Sequence, residues 1–288
     1  MFAIIGVVVV IGSIVGGYTF AGGALGILWQ PAELIIIFGA ALGILLLGTP
    51  QKIISALAKR IPLVFTGSGI NTPMYLEVLR MQFEVYSVIR KGGMLALEND
   101  VADPHKSELF AKYPMFHKNH HALTFFCDSL RLLIDGTEPS EVEHVMNTDL
   151  ATHHEEANIP PTVLAKVGDA LPGMGIVAAV LGIVIAMQHL DGPAADLGHK
   201  VGAALIGTFL GILMAYGFFQ PIAANMEQIT REEGKYLQCI LVGLVGYAGG
   251  TSPAVAVEQA RRVIYEADRP SAQELDASLN ELKSQMKG

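Results

Sequence analysis

Uncharged apolar runs interrupt this sequence at four places, residues 1–32, 34–51, 171–190 and 201–226. About 20 apolar residues cross the roughly 30 Å of a bilayer's hydrocarbon core as a helix, so each run predicts one membrane span. In the first two runs we expect the spans at residues 2–20 and 34–48.

A further uncharged run, residues 236–257, is not expected to cross the membrane. Its apolar part, residues 237–248, is only 12 residues long, which suits a buried or interfacial helix better than a span. A crossing here would also export Arg261 and Arg262, although basic residues prefer the cytoplasmic side. The prediction is therefore four spans.

The placement of lysine and arginine predicts which segments face the cytoplasm. Lys200 is the one basic residue in the short connections between paired spans, and all the others lie in residues 51–169 or after residue 226. Because positive residues stay inside, both termini are expected in the cytoplasm. The predicted organisation is a membrane hairpin at 1–50, a cytoplasmic domain at 51–169, a second membrane hairpin at 170–222 and a cytoplasmic tail at 223–288.

The predicted cytoplasmic domain begins its first clear helix at Thr72, where a hydroxyl cap precedes Pro73. Apolar side chains then recur at mostly three- and four-residue spacing as far as Ile89, which gives the helix one buried face. Gly92 and Gly93 end it just after two basic residues, which suit the negative end of the helix dipole.

Two more helices are expected in the same domain. One covers residues 120–133, and Ser140 with Glu143 has the pattern of a capping box for the next. That third helix runs towards Pro160 and Pro161. Strand signals are weak, so the predicted fold class is an all-α membrane protein, with four transmembrane helices and a large helical cytoplasmic domain between the second and third.

Composition agrees with this fold class. The chain is 51% hydrophobic and 16% charged, against about 25% charged residues in a typical soluble domain. Its net charge of −8 argues against a nucleic-acid surface. Cys127 and Cys239 fall in predicted cytoplasmic segments, where thiols stay reduced. The start of the chain lacks a signal-peptide cleavage pattern, so we expect the first span to remain in the mature protein.

The third and fourth spans are crowded with small residues, which let spanning helices pack closely. No span carries a charged residue in its core, since Glu33 and Asp169 are expected at the edges of their spans, on opposite sides of the membrane. A proton relay needs a titratable group at membrane depth. If ions cross here, we therefore expect another chain to supply the carboxylate.

The chain resembles the flagellar stator branch of the MotA/TolQ/ExbB superfamily over nearly its whole length. The order and spacing of several short motifs carry the resemblance: GGY at 16–18, GG at 22–23, QPAEL at 30–34, GDALP at 168–172, GIVAA at 175–179, GTFLG at 207–211, AYG at 215–217, AVE at 256–258 and RPS at 269–271. Relatives of the TolQ and ExbB type have three spans, with the large loop after the first. Here the loop follows the second of four, which favours the flagellar branch.

The resemblance implies a function and partners. Members of this branch form a homo-oligomeric ring in the bacterial inner membrane around MotB-type subunits, whose span carries an aspartate. Together the subunits let ions cross and convert that flow into torque on the rotor protein FliG. The work is mechanical, so no enzyme activity, cofactor or metal is expected, and the transported ion is H⁺.

The resemblance also assigns an ion path. Thr208 matches a threonine near that path, and Gly175, Gly207 and Gly211 are expected to pack the partner helices. Ala179 stands where sodium-driven relatives carry a second threonine, and because a methyl group cannot ligate a hard cation, protons are favoured. A threonine in a spanning helix also commonly bonds its own backbone, which is the alternative for Thr208.

Pro172 and Pro221 are expected at the cytoplasmic ends of the third and fourth spans. In the family these prolines couple ion binding to movement of the cytoplasmic domain. Proline is also common at ordinary helix ends, so the position alone does not require that role.

Arg90 and Glu98 match the two charged residues that the family uses on FliG, and they bracket the Gly92–Gly93 turn. They can therefore share one exposed corner. Charges at a helix end are more often only solvated caps.

Three alternatives remain open from the sequence. The first is a sodium-driven stator, and the second is a TolQ/ExbB-like energiser of the outer membrane. The third is a membrane metalloenzyme that uses His117, His120 and His121, which fall at helical spacing. Because the HExxH arrangement of zinc proteases is absent, no metal site is predicted.

Overall fold

The computed structural model describes residues 2–188 and 193–286, and the regular elements in these ranges are helices. In chain order they are α1 (Phe2–Phe20), α2 (Leu25–Leu28), α3 (Pro31–Gly48), α4 (Gln51–Arg60), α5 (Leu63–Thr66), α6 (Thr72–Gly92), α7 (Glu98–Ala102), α8 (Glu108–Ala111), α9 (Pro114–Lys118), α10 (His120–Ile134), α11 (Pro139–Met187), α12 (Ala194–Met214), α13 (Gln220–Ala248), α14 (Pro253–Arg262) and α15 (Ala272–Gln285). A 3₁₀ turn (Met94–Leu97) precedes α7, and one π-helical turn (Ala215–Phe219) joins α12 to α13.

The four predicted spans are confirmed as helices long and apolar enough to cross a membrane. They are α1, the stretch Leu25–Gly48 that contains α3, α11, and the stretch Ala194–Ala248 that contains α12 and α13. Residues 189–190 of the predicted third span lie outside the described residues, as do residues 191–192 of the following loop and 287–288 of the tail.

The chain divides into two compact units, each built from two separate stretches. We call Met1–Ser68 with Ala157–Ile229 the membrane unit, and Gly69–Glu156 with Thr230–Gly288 the soluble unit. Residues 51–68 and 157–169 therefore group with the apolar helices rather than with the rest of the predicted cytoplasmic segment. The tail after residue 229 packs in the same unit as residues 69–156.

Helix α6 supplies much of the core of the soluble unit. Tyr75, Leu79 and Tyr86 on its predicted apolar face are buried. The helix is capped by Asn71, whose side chain accepts the Met74 N–H at 3.1 Å. The predicted hydroxyl cap at Thr72 is therefore wrong by one residue, because the asparagine directly before it provides the oxygen.

The apolar stretch 237–248 lies within α13 and packs into this same core. Ile240 and Leu244 are completely buried, and the Gln82 side-chain amide donates to the Ile240 carbonyl oxygen at 2.9 Å. This confirms the prediction of a buried helix. Cys127 and Cys239 are buried free thiols, and burial raises the pKa of Cys127 to about 12.

Helix α11 begins at Pro139, two residues before the first helical position that a cap at Ser140 predicts. The Glu138 carbonyl accepts the N–H groups of Glu141 and Val142, and Ser140 already lies inside the helix. The capping box predicted at Ser140 is therefore wrong. The structure has its capping box at the start of α15, where Ser271 and Glu274 bond each other's backbone N–H groups.

Helix α11 also continues through the prolines expected to interrupt it, with Pro160, Pro161 and Pro172 in its interior. A proline costs about 3 kcal/mol in a helix interior because it loses a hydrogen bond and crowds the preceding turn. Here Pro160 and Pro161 are buried, so packing offsets that cost.

Candidate functional site at the crossing of the third and fourth spans

Helices α11 and α12 meet with their backbones in contact. A Cβ atom at Gly211 would lie 2.6 Å from the Leu171 carbonyl oxygen, and one at Gly175 would lie 2.7 Å from the Gly207 carbonyl oxygen. Real Cβ atoms do not approach other atoms this closely. Glycine at these positions is therefore what allows the two helices to cross, as small residues do in membrane bundles.

Thr208 and Ala179 lie in this same crossing. The Cα atom of Thr208 is 3.3 Å from the Cβ position at Gly175, and the backbone nitrogen of Ala179 is 3.3 Å from that at Gly207. Thr208 is half-buried, and Ala179 is buried with a methyl group that offers no ligand. The residues that sequence assigned to the ion path converge at one place: Gly175, Ala179, Gly207, Thr208 and Gly211.

The structure adds an acid to this crossing. Glu33 stands in the first turn of α3, but its carboxyl group reaches between α11 and α12. Its Oε2 atom is 2.7 Å from the Cβ position of Gly207, and its Oε1 atom is 3.4 Å from that of Gly182. Glu33 is only 6% exposed, and Oε2 has no hydrogen-bond partner among the described residues.

Glu33 lies at the start of its helix, as expected, but its contact with the third and fourth spans was not predicted. Apolar periodicity locates the start of α3 but does not tell which neighbour its first turn faces. A signal was nevertheless available, since Glu33 is the only charged residue in positions 1–51. An isolated acid in such a stretch is usually functional.

Near the prolines, a side-chain amide joins α11 to the start of α13, which continues from α12. The Gln220 side-chain nitrogen donates to Asp169 Oδ1 at 2.6 Å and to the Ala165 carbonyl oxygen at 3.2 Å. A Cβ at Gly168 would lie 3.0 Å from the Phe219 Cβ atom. The close contact of α11 with the neighbouring span therefore extends from the glycine crossing to Gly168 and Phe219.

Neither proline ends a helix, contrary to the prediction. Pro172 lies within α11, and Pro221 is the second residue of α13, which continues directly from α12. The π-helical turn explains how the chain passes Pro221, since the Gln220 N–H donates to Ala215 five residues back. This wider turn relieves the crowding that a proline ring causes in a regular α-helix.

Arg90 and Glu98 are both exposed on one connection of the soluble unit. Arg90 lies in the last turn of α6, and Glu98 is the first residue of α7. Gly93 turns the chain between them with φ +79°, a conformation that glycine adopts without strain. Leu97 is buried and anchors the turn.

The histidines form ring contacts rather than a ligand set. His105 packs against His117 and His120 at centroid distances of 5.8 and 5.0 Å, and His121 stacks on His153 at 4.2 Å. Among residues 2–188 and 193–286, no group of three or more His, Cys, Asp or Glu side chains is placed to hold a metal ion.

With this geometry established, the chain can be compared with known proteins. Residues 4–93 match the family described as Motility protein A N-terminal, and residues 117–238 match the MotA/TolQ/ExbB proton channel family. Motility protein A of Escherichia coli is 42% identical over 99% of this chain and 97% of its own length. The chain belongs to the motility protein A family.

Other relatives agree with this assignment. The chemotaxis protein LafT of Vibrio parahaemolyticus is 32% identical over 96% of this chain and 98% of its own length. The fold matches a solved C. jejuni MotAB structure with a TM-score of 0.78 and 25% identity, covering 93% of this chain and 98% of that one. The chain is thus a flagellar stator subunit and a multi-pass inner-membrane protein, and its family is not a class of enzymes.

Proposed function

We propose that this chain forms a ring around a MotB-type partner and conducts protons together with it, both termini facing the cytoplasm. The observation that carries the proposal is the crossing of α11 and α12, where the Glu33 carboxyl group lies in an otherwise apolar contact and α12 carries Thr208. Apolar residues of α11 such as Ile183 and Val184 are about half exposed. Lipid, neighbouring copies and partner helices would cover them.

Ala179 favours protons over sodium as the driving ion. A hard cation needs several oxygen ligands, whereas a proton needs only water and titratable groups. Ala179 is buried at the level of Gly207 and contributes a methyl group there. A sodium-driven stator remains the second candidate, because Thr208, a residue of the same crossing, has a hydroxyl oxygen in its side chain.

Reconstitution tests the channel. The chain and its MotB-type partner would be placed together in liposomes with a trapped pH dye, and proton uptake would be followed after a potential is imposed. We expect proton flux from the pair, loss of flux when the partner's membrane aspartate becomes asparagine, and none from the chain alone. Equal flux from the chain alone would contradict the need for a partner.

We further propose that Arg90 and Glu98 contact FliG. Exposed charges that form and break contacts quickly suit a stepping interface. Reversing either charge, as Arg90→Glu or Glu98→Lys, should reduce swimming without reducing the amount of membrane-inserted protein. Opposite changes on FliG should restore it, and unchanged swimming of the double variant R90E/E98K would contradict the assignment.

We also propose that Pro172 and Pro221 couple ion binding at the crossing of α11 and α12 to the movement of the cytoplasmic domain that produces torque. Pro172 and Pro221 lie near the Gln220–Asp169 contact, where two interrupted hydrogen-bond ladders make local rearrangement less costly. Pro172→Ala and Pro221→Ala should leave assembly with the partner intact and lower torque. Normal torque in both variants would contradict the coupling role.

A further inference from the structure

Glu33 places a buried acidic side chain at the crossing of the third and fourth spans. Its carboxyl group lies between α11 and α12, and the Oε2 atom has no hydrogen-bond partner among the described residues. Its whole side chain is 94% buried, since its exposed fraction is 6%. The group is thus held inside the helix bundle rather than at its surface.

The glycines around this carboxyl group differ from the other glycines of the crossing in the atoms that lie closest to them. Gly175 and Gly211 lie closest to backbone atoms of the opposite helix, so helix packing alone explains them. At Gly207 the nearest atom to an added Cβ is instead Glu33 Oε2, and Glu33 Oε1 is also within reach of one at Gly182. Gly182 and Gly207 thus form a slot that an acid side chain fills.

The slot offers little to stabilise an ionised carboxylate. The part of α11 from residue 170 to 187 carries no charged side chain, and α3 carries none besides Glu33. The titratable residues of α12 are Asp196, His199 and Lys200, seven or more positions before Gly207. An unpaired buried charge is costly and is readily neutralised by a proton. Buried acids in membrane bundles are therefore typical of proton pathways.

We propose that the Glu33 carboxyl group is a second proton-binding station of this stator, on the non-cytoplasmic half of the ion path. A proton from the outside binds the Glu33 carboxylate, and the resulting carboxylic acid passes it, through water beside Thr208, to the ionised acid of the partner. Glu33 is then again a carboxylate, ready for the next proton. This inference rests on the proposed proton-conducting function.

Glu33→Gln distinguishes a proton-binding role of Glu33 from a merely structural one. Glutamine keeps the size and hydrogen-bonding capacity of Glu33 but cannot carry a mobile proton, so a merely structural role predicts unchanged flux in Glu33→Gln. We expect the reconstituted complex to lose about fivefold in proton flux, equivalent to about 1 kcal/mol of barrier. Glu33→Asp should restore part of the flux with a shifted pH profile. Asp196→Asn, which removes an exposed acid from α12, is the matched control and should behave as wild type.

The outcomes separate this inference from the proposed function. If wild type carries sodium and no protons, the proton-driven function fails. If wild type conducts protons and Glu33→Gln assembles with the same flux and pH profile, only the Glu33 station fails. Should Glu33→Gln not assemble, infrared spectra of wild type and Glu33→Asp decide. A carboxylic-acid band that titrates in wild type and shifts in Glu33→Asp supports the station, and its absence overturns it.

Discussion

The membrane unit and the soluble unit are packed by opposite strategies. In the soluble unit, large side chains such as Tyr86, Phe110 and Phe126 are fully buried, so that unit encloses its own core. In the membrane unit, α1 has no buried residue, and the closest packing comes from glycines that bring backbones together. Several leucines and valines there, such as Val8 and Leu47, are exposed, so the membrane unit requires lipid, a partner or further copies to cover it.

This difference has a consequence for mutations. A core of large side chains loses stability when atoms are removed, whereas a glycine crossing is disrupted when atoms are added. Removing side-chain atoms should therefore be the more harmful change in the soluble unit, and adding them should be the more harmful change at the glycine crossing of the membrane unit.

The largest effect is expected in the soluble unit. Leu130 is fully buried in its core, and Leu130→Ala should cost about 2–5 kcal/mol of unfolding free energy because it leaves a cavity. Thermal unfolding of the purified complex measures this. Leu95→Ala is the matched control, since Leu95 is 70% exposed, and an equal loss in both variants would show that the soluble unit lacks a core of the kind described.

In the membrane unit, adding one methyl group should be harmful. A Cβ at Gly211 would collide with the Leu171 carbonyl, so Gly211→Ala should cost about 1–3 kcal/mol by overpacking and reduce co-purification with the partner. Gly198→Ala on the same helix meets nothing within 4 Å and should co-purify normally. Normal co-purification of Gly211→Ala would refute close backbone contact at the crossing.

Removing a buried hydrogen bond of the soluble unit should cost as much stability as Gly211→Ala, or less. The Tyr113 hydroxyl donates to the buried Glu84 at 2.5 Å, and Lys112 donates to its other oxygen at 2.6 Å. Burial, together with this bond, raises the pKa of Tyr113. Tyr113→Phe should cost about 1–3 kcal/mol in thermal unfolding, because one Glu84 oxygen loses its partner. A change below the error of the measurement would contradict the contact.

The smallest effect is expected from the loss of a helix cap. Ser271→Ala removes the observed capping box of α15 and should cost about 1 kcal/mol. Ser140→Ala should change stability by less than about 0.5 kcal/mol, because Ser140 is exposed inside α11. If Ser140→Ala were the more harmful change, the predicted rather than the observed cap would be correct.

These two serines show where sequence reasoning reached its limit. Spans and buried faces follow from apolar periodicity over many residues, so the four spans and the buried stretch 237–248 were predictable. The exact residue at which a helix begins depends on small differences between neighbouring residues. In the structure Asn71 rather than Thr72 caps α6, and Glu138 rather than Ser140 precedes α11. Pro160, Pro161 and Pro172 remained inside a helix because tertiary packing outweighed their local preference.

The candidate site was predictable in two ways: the small residues that crowd the third and fourth spans indicated close helix packing, and the family resemblance assigned Thr208 and Ala179. Its acid was not predicted, since Glu33 comes from a third helix. The helix on which a side chain lies says nothing about the neighbour that it contacts. Only the packing of α3 against α12 brings that carboxyl to Gly207.

Swimming speed is the measurement that decides whether protons drive a stator built from this chain. Cells that depend on this chain and its partner would be tracked while external sodium and the proton gradient are varied separately. We expect the swimming speed to be unchanged when sodium is replaced by potassium and to fall to zero with a protonophore. Speed that follows the sodium concentration and survives the protonophore would contradict it.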